Sequence, residues 1–287
     1  MVALAPTAGP PSAPWREPSA LPGFSLAFGF TLFYLGLMVV LPLAALAAKP
    51  WEHGVAGFFE VVTAPRTLAA LRLSFLAAAA AAAANVALGL LTAWVLSRYD
   101  FPGRRIADAL VDLPFALPTA VAGIALAALY GPNGWIGEAL AHLGVKVAYT
   151  PLGVFVALLA VGLPFVVRTL QPVLEDLDAA WEEAAVTLGA GRWTIFARII
   201  APVLAPALIA GFALAFARGA GEYGSVIFIA GNMPMVSEIA PLVIVTKLEG
   251  YDYAGAAAVG VAMVVISMVA LAVTNGAQIA LARRTRR

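Results

Sequence analysis

The side chains able to do chemistry in this 287-residue sequence are few and widely separated. There is no cysteine, which removes thiolate nucleophiles, thiolate metal ligands and disulfides. The two histidines, His53 and His142, stand far apart without the neighbouring ligands a metal site needs, and they read as loop residues. Gly219, Gly221 and Gly224 match the spacing G-x-G-x-x-G, but a dinucleotide fold needs a short strand before that motif and an acid about 20 residues after it. Here a long apolar run precedes it, so the glycines read as the means by which the backbone leaves that run and turns. No G-x-x-x-x-G-K-[ST] phosphate loop is present, so this chain lacks that means of holding ATP. Two groupings remain. Arg218 and Glu222 are four apart, which suits either an i, i+4 ion pair or an arginine that faces an anion, and with Ser225 they are candidates for an anion pathway or outer gate. The second grouping is an acidic stretch, Glu175, Asp176, Asp178, Glu182 and Glu183, followed by the small residues Ala184, Ala185 and Gly189.

The elements that must position these residues are set by composition. The hydrophobic set makes up 62% of the chain and charged residues 11%, against about 45–50% and about 25% in an average soluble domain. So few charges cannot cover a soluble surface of this size, and lipid is the expected solvent. A net charge of +1 lacks the basic excess of a nucleic-acid binder. A bilayer core of about 30 Å takes roughly 20 apolar helical residues. Charge-free runs of that order predict an all-α membrane protein with six transmembrane helices at about 24–48, 73–97, 115–130, 147–167, 199–218 and 254–282. The third is trimmed to 115–130 by Pro114, Pro118 and the cluster Gly131, Pro132, Asn133, Gly134. Residues 1–23, with six prolines, read as a disordered tail rather than a signal peptide, and 283–287 as a basic tail. An even span number puts both termini on one side. Eleven Lys and Arg then fall inside and six outside if the termini are cytoplasmic, as the positive-inside rule favours.

No Asp, Glu, Lys or Arg lies in the expected span cores, so no ion-coupling site is expected there. The polar exceptions Asn85, Thr92, Thr119, Ser267, Thr274 and Asn275 read as helix–helix hydrogen-bonding residues. The alanine run 77–84 is either a close-packing face or mere low complexity. With no Ser/His pair, carboxylate pair or metal cluster in the spans, the chain reads as non-catalytic, so energy for pumping must come from outside it.

Between the fourth and fifth spans, Leu177, Trp181, Ala184 and Leu188 recur at i, i+4, i+7 and i+11, a single stripe of a helix. Gly189 and Gly191 break that helix. A second pattern, Trp193, Phe196 and Ile200, leads to Pro202 at the entry to the fifth span. Such a helix-turn-helix suits docking in a partner's groove, or lying against the membrane or the bundle.

The series Glu183-Ala184-Ala185, Gly189, Ile199 and Pro202 resembles the EAA loop of permease subunits of type I ABC importers, with Ala201 where leucine is usual. The resemblance implies a MetI-like architecture in which 175–202 is a coupling loop, with Glu183, Ala184, Ala185, Gly189 and Pro202 seated against a cytoplasmic ATPase. The runs Phe101-Pro-Gly-Arg104, Asp112-Leu-Pro-Phe-Ala-Leu-Pro118, Ala215 through Gly224, Gly221 through Asn232, Ser237 through Leu242 and Tyr251 through Gly255 are similar to the sulfate and molybdate branch. Within it they are most like the T-type subunits of sulfate/thiosulfate importers, since the molybdate permeases and W-type subunits usually carry Phe in place of Tyr223. The implied partners are a W-type permease, two ATPase subunits that bind ATP and Mg, and an extracytoplasmic sulfate/thiosulfate-binding protein, all at a bacterial inner membrane. No cofactor or metal is expected in this chain. The outer loops 131–146 and 231–253 then suit either docking of the binding protein or a lid. A molybdate, tungstate or other oxyanion permease is the alternative within the class, and a stand-alone secondary anion transporter or channel the alternative outside it.

Overall fold

The computed structural model describes residues 23–285. The proline-rich segment 1–22, and Arg286 and Arg287 of the basic tail, lie outside the described residues. Every regular element among the described residues is helical. The chain divides between Ala45 and Leu46 into two units.

The first unit holds α1 (Phe24–Leu35), a π turn (Gly36–Val40) and the start of α2 (Leu41–Ala48). Its large side chains, from Phe24 and Phe28 through Leu43, are apolar and exposed, as a helix facing lipid requires. The π turn has a covalent cause. Pro42 has no N–H to offer the carbonyl of Met38, and a wider turn accommodates the ring.

The second unit continues with a 3-10 turn (Lys49–His53), α3 (Gly54–Thr63), α4 (Pro65–Arg98), α5 (Arg104–Val111), α6 (Leu113–Ala116), α7 (Thr119–Tyr130) and α8 (Trp135–Ala141). It proceeds through α9 (Pro151–Glu175), α10 (Ala179–Thr187), α11 (Arg192–Ile195), a π turn (Phe196–Ile200) and α12 (Ala201–Ala220). It ends with α13 (Val226–Ile229), α14 (Ala240–Glu249) and α15 (Tyr253–Thr285).

Five helices among the described residues are long and apolar enough to cross a bilayer: Leu26–Glu52, Pro65–Arg98, Pro151–Glu175, Arg192–Ala220 and Tyr253–Ala280. The expected third span differs. Its helix begins at Thr119, not 115, because Pro118 forces Leu117 into an extended conformation (φ −84°, ψ 134°) and detaches α6. The remaining 12 residues rise about 18 Å, short of a full crossing. The fourth helix runs to Glu175 rather than 167, which brings Arg168 inside it. The fifth helical run starts at Arg192, so Pro202 lies about three turns into it instead of marking its entry, and the π turn at 196–200 absorbs the carbonyl of Arg198 that Pro202 leaves without a donor. The last helix continues to Thr285, so its final turn takes in part of the segment expected as a basic tail.

The core is the mutual packing of α4, α9 and α12. Ala77, Ala78, Ala81, Ala82, Asn85, Gly89 and Ala93 of α4 are buried on one face, whereas Ala80 and Ala83 are exposed. The alanine run is therefore a packing face, and its small side chains let the axes approach closely. Opposite them stand Val154, Ala157, Leu158, Val166 and Val167 of α9 and Leu204 and Ala215 of α12.

Candidate coupling loop and gate

At the end of the core where α4 and α9 finish, the chain turns into α10. Asp178 caps it, its carboxylate accepting from the Ala180 N–H at 2.9 Å, and Glu182 sits in the first turn where the helix dipole favours an acid. The helix closes by a Schellman arrangement: the Ala190 N–H donates to the Ala185 carbonyl (3.0 Å) and the Gly189 N–H to Val186 (2.9 Å). Gly189 holds φ +81°, a left-handed value that a β-carbon opposes. The expected stripe is rotated from what its spacing suggested. Leu177 and Ala185 face the core, while Trp181, Leu188 and Trp193 are 53%, 88% and 77% exposed. Glu183 and Ala184 are exposed beside them, and Pro202 is exposed at the start of α12.

One side of this loop is anchored. Arg98, the last residue of α4, approaches Glu182 at 2.8 Å as an ion pair whose atoms are not aligned as a linear hydrogen bond. The Arg98 guanidinium also lies 5.6 Å from the centre of the Trp94 ring, a cation–π distance. Trp94 meets Phe196 edge-on at 6.1 Å, and Phe196 stacks with Trp193 at 5.6 Å. The loop is thus held on the bundle by one edge, with its other apolar face bare.

Sequence reasoning left the adjoining network unfound. Arg168 of α9 donates through Nε and Nη2 to the two carboxylate oxygens of Asp112 at 2.7 and 2.6 Å. Its Nη1 donates to Asp108 Oδ1 (2.7 Å) and Gln171 Oε1 (2.5 Å), and Nη2 also reaches the Asp108 carbonyl (2.9 Å). Gln171 Nε2 donates to Asp108 at 3.0 Å. The hydrogen bonds from Gln171 and then Arg168 hold the Asp108 carboxyl below its ordinary value. The available signal was an arginine directly following an apolar run, together with two aspartates four apart on a short helix.

At the opposite end of α12, Arg218 pairs with Glu222 through Nη1 and Oε2. Glu222 is only 4% exposed, and its other oxygen accepts from the Ser225 N–H (2.9 Å) and Ser225 Oγ (3.0 Å). The three candidate gate residues therefore form one unit, in which the Arg218 charge is paired while part of its side chain stays exposed. This unit seats α7: a β-carbon on Gly123 would stand 2.4 Å from the Ser225 carbonyl oxygen, so only glycine permits the contact. Nearby, Arg66 makes a two-pronged contact with buried Glu238 at 2.7 and 2.6 Å, and the Ala240 N–H donates to Ser74 Oγ at 2.8 Å, fixing the 231–253 segment to α4. That segment exposes Met233, Met235, Val236 and Tyr251.

The candidate coupling residues and the candidate gate residues are not brought together. The 20 residues of α12 keep them about 30 Å apart. Three of the in-span polar residues also depart from expectation. Thr92 and Thr274 bond to carbonyls of their own helix, Leu88 and Leu271. Asn85 is fully buried against Gly162 with neither amide atom hydrogen-bonded. No group of three or more His, Cys, Asp or Glu among the described residues is placed to hold a metal ion.

Residues 85–287 match the family model described as the binding-protein-dependent transport system inner membrane component. The chain is 48% identical over 264 residues to the sulfate transport system permease protein CysT of Escherichia coli K12, covering 92% of this chain and 95% of that one. It is 48% identical over 254 residues to a probable sulfate transport system permease protein of Nephroselmis olivacea (88% and 89% covered) and 45% identical over 251 residues to the CysT permease of Synechocystis PCC 6803 (88% of each). Among solved structures it is similar to a chain of a bacterial alginate ABC transporter in complex with an alginate-bound periplasmic protein, at TM-score 0.72 and 16% identity over 88% of this chain and 92% of that one. A second alginate importer structure gives TM-score 0.73 at 15% identity, over 88% and 95%. These two likenesses carry the fold.

Proposed function

This chain belongs to the family of binding-protein-dependent transport system inner membrane components, and we propose that within it the chain is the T-type permease of an ATP-driven sulfate/thiosulfate importer. It is a multi-pass membrane component with no catalytic role of its own. Its termini face the cytoplasm, and it pairs with a W-type permease. Two ATPase subunits, which hold ATP and Mg, dock on the loop 175–202. An extracytoplasmic sulfate/thiosulfate-binding protein delivers the anion to the opposite end.

The observation that carries this reading is the bare face of the loop. Trp181, Leu188 and Trp193 are exposed beside Glu183 and Ala184, on a segment whose other edge is pinned by Arg98. Such a patch, beyond the long apolar helices, marks a protein interface. Small Ala184 allows close approach, and Glu183 has no ion-pair partner among the described residues, so it is available to a cation of the ATPase. At the far end Arg218, Glu222 and Ser225 form the outer gate, where the exposed portion of Arg218 meets the passing dianion.

Reconstitution with the three partner types in proteoliposomes tests this. Radiolabelled sulfate uptake should require ATP and every partner, and excess thiosulfate should compete. Uptake by the chain alone would make it a channel or carrier, and preferential competition by molybdate would move it to the oxyanion alternative.

A further inference from the structure

We propose that the Arg168–Asp112–Asp108–Gln171 clasp is the positioning device that carries movement of the coupling loop to α7, and through α7 to the outer gate. This rests on the importer reading above.

α9 ends at Glu175, and only residues 176–178 separate it from α10, so the coupling helix cannot shift without moving the end of α9. Arg168 lies two turns back from that end. Its five N–H···O bonds use all three guanidinium nitrogens, and they bind two carboxylates, the Gln171 amide oxygen and one orphan helix carbonyl. The carbonyl is that of Asp108, left without its helical donor because the Asp112 N–H turns to Ala109 at 3.2 Å. Arg168 therefore caps α5 and grips the α5–α6 junction at once. Two-pronged arginine–carboxylate contacts resist rotation as well as separation.

The segment beyond the junction is stiff. Pro114 and Pro118 restrict it, and Phe115 of α6 packs edge-on against Phe165 of α9 at 5.0 Å. Next comes α7, whose Gly123 lies against Ser225, itself bound to Glu222 and hence to Arg218. A displacement at α10 thus has a continuous set of short, directional contacts to the gate. Among the described residues, the α4–α9–α12 core, packed largely through apolar side chains, offers no comparable polar grip on α7.

The test uses the complete four-component transporter in proteoliposomes, with sulfate moved per ATP hydrolysed as the readout. Asp112→Asn keeps the shape and removes the charge, so folding should be retained. It and Arg168→Gln should lower the ratio by about tenfold, a coupling loss of the usual size, while ATP turnover stays within about twofold of wild type. Asp112→Glu, which restores the carboxylate, should recover most of the ratio. An unchanged ratio in Asp112→Asn, or uptake and ATP turnover falling together with no rescue by Glu, overturns the clasp. Failure of the importer reading looks different: the wild-type assembly would then take up sulfate without ATP.

Discussion

The guanidinium of Arg168 and the carboxylate of Asp112, 56 positions apart in sequence, meet through parallel bonds of 2.7 and 2.6 Å, which join the helix entering the acidic loop 175–202 to the segment that leads into α7. The loop itself is held along one edge, by Leu177 and Ala185 against the core and by Arg98 and Trp94 of α4 against Glu182 and Phe196. A rigid grip on one side and an exposed apolar face on the other suit a part that is pushed by a partner and must pass the push on.

Gly189→Asp should leave the chain in the membrane and uncouple transport. The space around Gly189 is open, so no clash is introduced, but a side chain at φ +81° costs about 1–2 kcal/mol and displaces the turn that closes α10. Membrane fractionation with ATP-driven uptake checks this, and wild-type uptake would refute it.

Replacing Trp181 or Leu188 with Ser should loosen the ATPase without unfolding the permease, because neither side chain packs into the core. A loss of roughly 1–3 kcal/mol of interface energy, about ten- to a hundredfold in apparent affinity, is the expected scale for a buried apolar anchor. Copurification of the ATPase through a tag on this chain reads it directly.

Asn85→Leu should stabilise the protein. The amide is fully buried with both polar atoms unpartnered, and a Leu of similar shape removes a desolvation cost of about 1–3 kcal/mol. Thermal unfolding in detergent should shift upward. A downward shift would mean that Asn85 finds a partner the folded bundle conceals.

Arg218→Ala removes the cation beside the buried carboxylate of Glu222 and should cost about 2–4 kcal/mol, since a buried charge is left unpaired. Adding Glu222→Gln should return most of that stability. If Arg218 also meets the anion, sulfate uptake stays low in the stabilised double variant. Recovery of uptake along with stability would leave Arg218 a purely structural role.

Asp108 supplies a pH signature. Its carboxyl is held below the ordinary value by Gln171 and Arg168, so its contribution to stability is present above the unfolded-state pKa of about 3.9 and is lost as pH falls through the folded value. The stability difference between wild type and Asp108→Asn should be constant from about pH 6 to 8 and shrink below about pH 4. A gap that changed between pH 6 and 8 would contradict the assignment.

Much of this protein follows from local sequence. Charge-free runs locate the long helices because hydrocarbon tolerates neither bare backbone nor unpaired charge. Gly189 and the acidic cap at Asp178 were legible because a turn and a helix start depend on neighbouring residues alone. The Arg218–Glu222 pair, four apart across the end of α12, was legible for the same reason.

Other features depend on residues distant in the chain. Periodicity put Leu177, Trp181, Ala184 and Leu188 on one stripe, yet which side of α10 faces the core was decided by how Arg98 and Phe196 arrive from α4 and the following turn. Pro118 cut the third span short at a position that composition alone left within the apolar run. The alanine run became a packing face only when α9 and α12 closed over it. The sequence by itself determined an all-helical membrane chain with an acidic loop closed by glycine, because burial in lipid and local turn chemistry act over a few residues. Only the tertiary structure decided that Arg168 grips Asp108 and Asp112 and that Asn85 is sealed without a partner, because those outcomes depend on helix rotation and register, which are settled by packing between segments far apart in sequence.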